Sequence, residues 1–159
     1  MSLLFHLIKN LYFLNMNLKE LSAHLEKLNV SPDQYYIHGL FGSPDDNEKL
    51  AMVVKKGRYF AEYEVYFKER GTKQSSKIFT SETEACEFMY SKLKDEHTYN
   101  RIQQISNLNA MTVNERLFAS ELTDEFDRSI LKNKLRARQI LRWLKVDEES
   151  INLILESDK

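Results

Sequence analysis

The residue types that perform chemistry are few in this chain, and their spacing is uninformative. Four histidines, His6, His24, His38 and His97, show no H-x-x-x-H pattern. The single cysteine, Cys86, has no second thiol with which to hold zinc or close an internal disulfide. A reactive thiolate needs neighbouring cations, whereas the charged residues nearest Cys86 are Glu84 and Glu87. Glu62 and Glu64 stand two apart in a strand-like run and so point the same way, the arrangement that paired carboxylates need for acid–base or metal work. Nothing around them resembles a glycosidase or metal signature, and a solvated sheet face is the favoured reading. With 4 Gly in the whole chain, a glycine-rich phosphate loop is excluded. The expectation is a protein without catalytic residues, cofactor or metal, and not an enzyme.

Charge is the second source of chemistry. Lys and Arg number 23 against 24 Asp and Glu, a net of -1, and a protein that mainly grips a polyanion is usually more basic. The balance is local rather than uniform. Arg128, Lys132, Lys134, Arg136, Arg138, Arg142 and Lys145 form a basic run without one acid, a surface for RNA or an acidic partner. Glu121, Asp124, Glu125 and Asp127 lie just upstream, so the same residues also make a charge-balanced helical hairpin, which is the favoured reading.

At 159 residues the chain is long enough for a buried core, and its 42% hydrophobic and 11% aromatic content belongs to a folded protein. One cysteine and the lack of a signal-peptide pattern fit a cytoplasmic protein, and no apolar run is long enough to span a membrane. Residues 1–15 form an apolar extension with Leu4, Leu7, Ile8, Leu11 and Leu14 at helical spacing. Residues 16–98 read as an α+β body, and residues 99–159 as a helical module. In the body, Leu18, Leu21, Leu25 and Leu28 line a first helix, capped by Asn17 and Glu20. Strand-like runs follow at 35–40, 50–54, 58–67 and 77–79, separated by turn signals, and predict an antiparallel β-meander. Ser81 and Glu84 cap a closing helix, giving the order α-β-β-β-β-α. In the longest strand Tyr59, Ala61, Tyr63, Val65 and Phe67 should face the core, and Phe60, Glu62, Glu64 and Tyr66 the other side. Three C-terminal helices are expected from residue 112 onward, with Val113, Leu117, Phe118, Leu122 and Phe126, then Leu131, Leu135, Ile140, Leu141 and Leu144, on their apolar faces.

This element order matches a double-stranded-RNA module, but the second helix of such a module meets phosphate with lysines at its start. Here Glu82, Glu84 and Glu87 stand there and would repel it, so direct nucleic-acid binding is not expected.

The block from Tyr35-Tyr36 through Tyr63-x-Val65-Tyr66-x-x-Glu69-Arg70-Gly71 to Phe79-x-Ser81-Glu82-x-Glu84-Ala85-Cys86-x-Phe88 resembles small bacterial immunity proteins. Their families serve polymorphic-toxin and contact-dependent growth inhibition systems. MTVNERLFASEL, DEFDRS and VDEESINLIL resemble a helical tail in small bacterial proteins of that kind, where a small residue is expected at Glu121. The resemblance implies an antitoxin: a toxin inhibitor that binds the C-terminal domain of a cognate secreted toxin and occludes its active site. Toxins of this type are often nucleases with basic clefts, which a carboxylate-rich surface would enter in place of phosphate. The candidate toxin interface is then Asp45, Asp46, Glu48, Glu62, Glu64, Glu82, Glu84 and Glu87, with Phe60 and Tyr66 as aromatic anchors. The alternative is a nucleic-acid-binding or regulatory protein acting through the basic C-terminal helix.

Overall fold

Asn17 opens the first helix by accepting the Glu20 N–H at 3.0 Å, while the Glu20 carboxylate accepts the Asn17 N–H at 3.0 Å, so two of the orphan donors of the first turn are satisfied. The computed structural model describes residues 15–156, and the apolar extension expected over residues 1–15 therefore lies outside them except for Asn15. Helix α1, Leu18–Lys27, buries Leu21 and Leu25 and ends where Asn29 takes φ 58. There the Val30 N–H reaches back to the Leu25 carbonyl at 3.1 Å and the Asn29 N–H to the Glu26 carbonyl at 2.9 Å, a Schellman closure.

The sheet that follows is built from β1 (Tyr35–Ile37), β2 (Phe41–Gly42), β3 (Lys49–Lys56), β4 (Ala61–Glu69) and β5 (Thr72–Phe79), in the order β2-β1-β3-β4-β5. The fold is α+β, but the expected antiparallel meander needs correction. β3 runs parallel to β1, with Tyr35 opposite Leu50 and Ile37 opposite Met52. The cause is the two-residue β2, which reverses the chain on one edge of β1 so that β3 returns along the other edge. Gly42 makes this possible: at φ 84 it lies so close to Tyr35 that a Cβ would press on that residue's carbonyl and ring. The β3–β4 and β4–β5 pairs are antiparallel, as expected.

Two faces of β4 differ from the expected alternation. The strand begins at Ala61, so Tyr59 and Phe60 fall in the turn and are 76% and 75% exposed. At the other end Ser75, at φ 51, adds a residue to β5 between the pairs Val65–Lys77 and Phe67–Gln74, a β-bulge opposite Tyr66. Tyr63 and Val65 pack on the core as expected, Phe67 is exposed, and Tyr66 is buried on the other face.

Helix α2, Glu82–Gln103, starts with the Glu84 N–H on the Ser81 hydroxyl at 3.3 Å. Its residues Ala85, Cys86, Met89 and Leu93 join Leu21, Leu25, Ile37, Met52 and Val65 in the first core. The chain divides into two compact units within this helix, between Glu96 and His97.

From residue 112 onward the second unit holds four α-helices among the described residues where three were expected: α3 (Val113–Ala119), α4 (Thr123–Lys132), α5 (Lys134–Trp143) and α6 (Glu148–Glu156). The apolar stripe that suggested one helix over α3 and α4 is broken by Glu121 at φ 59. Leu122 N–H bonds the Leu117 carbonyl and Glu121 N–H the Phe118 carbonyl, a second Schellman closure. Glycine would hold this left-handed position without the strain that a glutamate carries there. Lys145, at φ 57, closes α5 in the same way. Leu117, Leu122, Phe126, Ile140, Leu141, Leu144 and Ile151 form the second core, while Phe118, Leu131 and Leu135 face outward. Arg116 ties the unit together. Its guanidinium donates to the carbonyls of Met111 at 2.9 Å, Leu144 at 2.9 Å, Lys145 at 3.0 Å and Asn109 at 3.3 Å.

Opposite shifts should follow from two substitutions in this unit, measured by urea denaturation. Arg116→Ala leaves carbonyls at the end of α5 without a charged donor and should cost about 1.5–3 kcal/mol. Lys145→Gly relieves a left-handed residue and should add about 1 kcal/mol.

Candidate functional site

The pleat puts Lys55, Glu64, Tyr66, Lys68, Lys73 and Ser76 on the sheet face opposite the first core, and their charges decide what that face can do. Glu64, in the central part of β4, is 6% exposed. Its carboxylate takes an ion pair from Lys55 on β3, a second from Lys73 on β5 at 2.7 Å, and the Ser76 hydroxyl at 2.6 Å. The hydrogen bonds from Lys55, Lys73 and Ser76, in that order of weight, pull its pKa down to about 2 against the opposing effect of burial. Beside it Tyr66 donates its hydroxyl to Asp46 at 2.7 Å, and Lys68 reaches the other oxygen of that carboxylate at 2.8 Å. Lys73 also stands 3.8 Å from the centre of the Tyr66 ring, within cation–π range. Lys68 and then Tyr66 hold the Asp46 pKa below its usual value, while burial and then Asp46 push the Tyr66 phenol up.

Of the ten residues expected at the interface, Asp46, Glu64 and Tyr66 are thus brought together, but as an internally neutralised network. They form no outward acidic patch. Glu82 is also engaged inside the fold, accepting the Leu18 N–H at 2.9 Å and the Tyr63 hydroxyl at 3.4 Å. Glu48 accepts the Arg70 N–H at 2.6 Å, and Asp45 accepts the Asn47 N–H at 2.9 Å and faces Lys49 at 3.6 Å. Asp45, Glu48 and Glu84 are exposed, Glu62 and Glu87 are half-buried, and these five gather at no single point.

Phe60 lies at the tip of the β3–β4 hairpin beside Tyr59, where the Glu62 side chain also borders the turn. The pairing of Lys56 with Ala61 leaves residues 57–60 as the turn, closed by the Gly57 N–H on the Phe60 carbonyl at 3.0 Å. Gly57 is required there, because a Cβ would press on that same carbonyl and on the Glu62 side chain. Arg58 lies with its guanidinium carbon 5.3 Å from the centre of the Tyr59 ring. Sequence periodicity misplaced Tyr59 in the core because alternation says nothing of how many residues the turn consumes. The Gly57 turn signal was the available clue.

The basic run of the second unit is largely spent on its own acids. Arg136 donates to Glu125 and lies 4.7 Å from the Trp143 ring centre, while Arg138 and Arg142 share Glu148. Arg138 also reaches Asn152 at 2.8 Å, and Lys134 caps the Leu155 carbonyl at 2.6 Å. Arg128, Lys132 and Lys145 make no ion pair with another described residue. Cys86 is buried, and burial first, then Glu82, Glu20 and Glu87, pushes its thiol up to about 12, so it has little thiolate character.

Among the described residues no group of three or more His, Cys, Asp and Glu side chains could hold a metal ion, and no helix is long and apolar enough to cross a membrane. Compared with known protein families, with curated proteins and with solved structures, the chain matches none.

The Glu64 network makes a pH prediction. A carboxyl whose folded pKa lies below its unfolded value of about 4.5 contributes stability above that value and loses it as pH falls toward about 2. The loss between about pH 5 and about pH 2 should amount to about 1–3 kcal/mol, allowing for solvent screening of the lysines. Glu64→Gln should flatten that part of the stability curve in chemical denaturation at stepped pH; an unchanged slope would show the carboxylate to be unperturbed.

Proposed function

We propose that this chain is an immunity protein that neutralises a cognate secreted toxin domain by binding it stoichiometrically, without turnover, and covering its active site. The observation that carries the reading is the pair Tyr59 and Phe60, presented side by side at a hairpin tip with about three-quarters of their surface in water. Each ring would release about 1.5–3 kcal/mol on full burial, and an aromatic side chain loses few rotamers in docking. Two of them on a turn already closed by a hydrogen bond make an anchor with little left to order. The resemblance of the Tyr35–Phe88 block to immunity proteins supports the same reading.

Phosphate mimicry by the sheet face does not support it, because Asp46 and Glu64 are already matched by Lys68, Lys55 and Lys73. Nor does the helical unit favour binding of nucleic acid, since Arg136, Arg138 and Arg142 have acids of their own. The direct experiment co-expresses this chain with the C-terminal domain of a secreted toxin identified in a neighbouring gene. Growth should be restored and a one-to-one complex recovered by affinity capture and size-exclusion chromatography. Continued growth arrest with no complex contradicts the proposal.

A further inference from the structure

The charge around Tyr59 and Phe60 is opposite in sign to the carboxylate-rich surface that the sequence suggested. Lys55, Lys56 and Arg58 occupy three of four successive positions leading into the tip. The acids within reach are Glu64, buried and held by Lys55 and Lys73, and Glu62, which lies over Gly57. Lys55 and Lys73, though exposed, are paired with Glu64, so Lys56 and Arg58 are the exposed cations of the tip that are not committed to it. Arg58 travels with the Tyr59 ring, so the cation and the apolar surface are offered together. On the β5 side of the tip Ile78, opposite Glu64, adds a further apolar surface that is 58% exposed.

We infer that the hairpin tip docks into a pocket on the toxin domain that has an apolar floor and an acidic rim. The two rings fill the floor, and Lys56 and Arg58 meet carboxylates at the edge. This inference rests on the immunity reading and fixes the sign of the partner's surface. Aromatic anchors with arginine at their margin are the composition of binding hot spots, and rim charges act mainly on the rate of association. A basic nucleic-acid cleft would repel the same tip.

The test measures binding of the isolated toxin domain by surface plasmon resonance at low and high salt, with thermal melts of each variant as a fold control. Tyr59→Ser and Phe60→Ser should each weaken binding about tenfold or more with unchanged melting. The double variant Lys56→Glu with Arg58→Glu should slow association about tenfold and reverse its salt dependence. Phe118→Ser, an exposed aromatic on the helical unit, should change nothing. Gly57→Ala, which disturbs the turn while keeping both rings, should weaken binding as well.

Tight binding that survives all the tip variants overturns the inference and leaves the immunity reading standing. Tighter binding by the Lys56→Glu, Arg58→Glu protein overturns the acidic rim. Unchanged toxin affinity together with tip-dependent binding to phosphatidylserine vesicles, or to single-stranded RNA, assigns the tip to another partner and also overturns it. If the wild-type protein neither binds nor protects against the toxin, both readings fall together.

Discussion

A carboxylate held between two lysines governs the body of this protein. Glu64 sits in the middle strand of the three long ones, with Lys55 on one neighbour and Lys73 and Ser76 on the other, so one side chain bridges β3, β4 and β5. The sheet's first core cannot do this, because its apolar contacts are all on the opposite face. A charge 6% exposed is tolerable only while these partners stay in place, and its burial therefore fixes the register of three strands. The bulge at Ser75 is part of the same device. It supplies the extra residue beside Tyr66, next to Ser76, whose hydroxyl completes the set around Glu64.

Neutralising that face has a consequence for recognition. With Asp46 and Glu64 satisfied, the strongest unsatisfied features of the sheet lie at its end, where Tyr59 and Phe60 project from a turn bordered by cations. The helical unit repeats the principle. Its conspicuous basic run is matched by Glu125 and Glu148, and Arg116 spends its guanidinium on backbone carbonyls. In both units much of the charge that looks available in the sequence serves to hold the fold, as Glu64, Asp46, Arg116 and Arg136 do.

The starts of α1 and α3 were legible from the chain alone, because the capping boxes Asn17–Glu20 and Thr112–Glu115 are written in four consecutive residues. The two antiparallel hairpins were legible for the same reason: their signals are local. What escaped was non-local or hidden by an unusual residue. The parallel β1–β3 pair depends on a two-residue strand that no periodicity can reveal. The break between α3 and α4 rests on a glutamate in the left-handed region, where glycine is the usual signal. At the candidate site Phe60 was expected to face outward and is exposed, though in the turn rather than the strand; its neighbour Tyr59 was assigned to the core, and the lysines that silence Glu64 arrive from strands 9 residues away on either side.

The central claim is that the hairpin tip, rather than the carboxylates or the basic helix, is the part of this chain that enters the partner. Hydrogen–deuterium exchange on the complex with the toxin domain tests it without any substitution. The account predicts that complex formation slows exchange in peptides covering Lys55–Glu62 and in the adjoining end of β5. Protection confined to the Asp45–Glu48 loop, or to α5, with the tip exchanging as in the free protein, would contradict it.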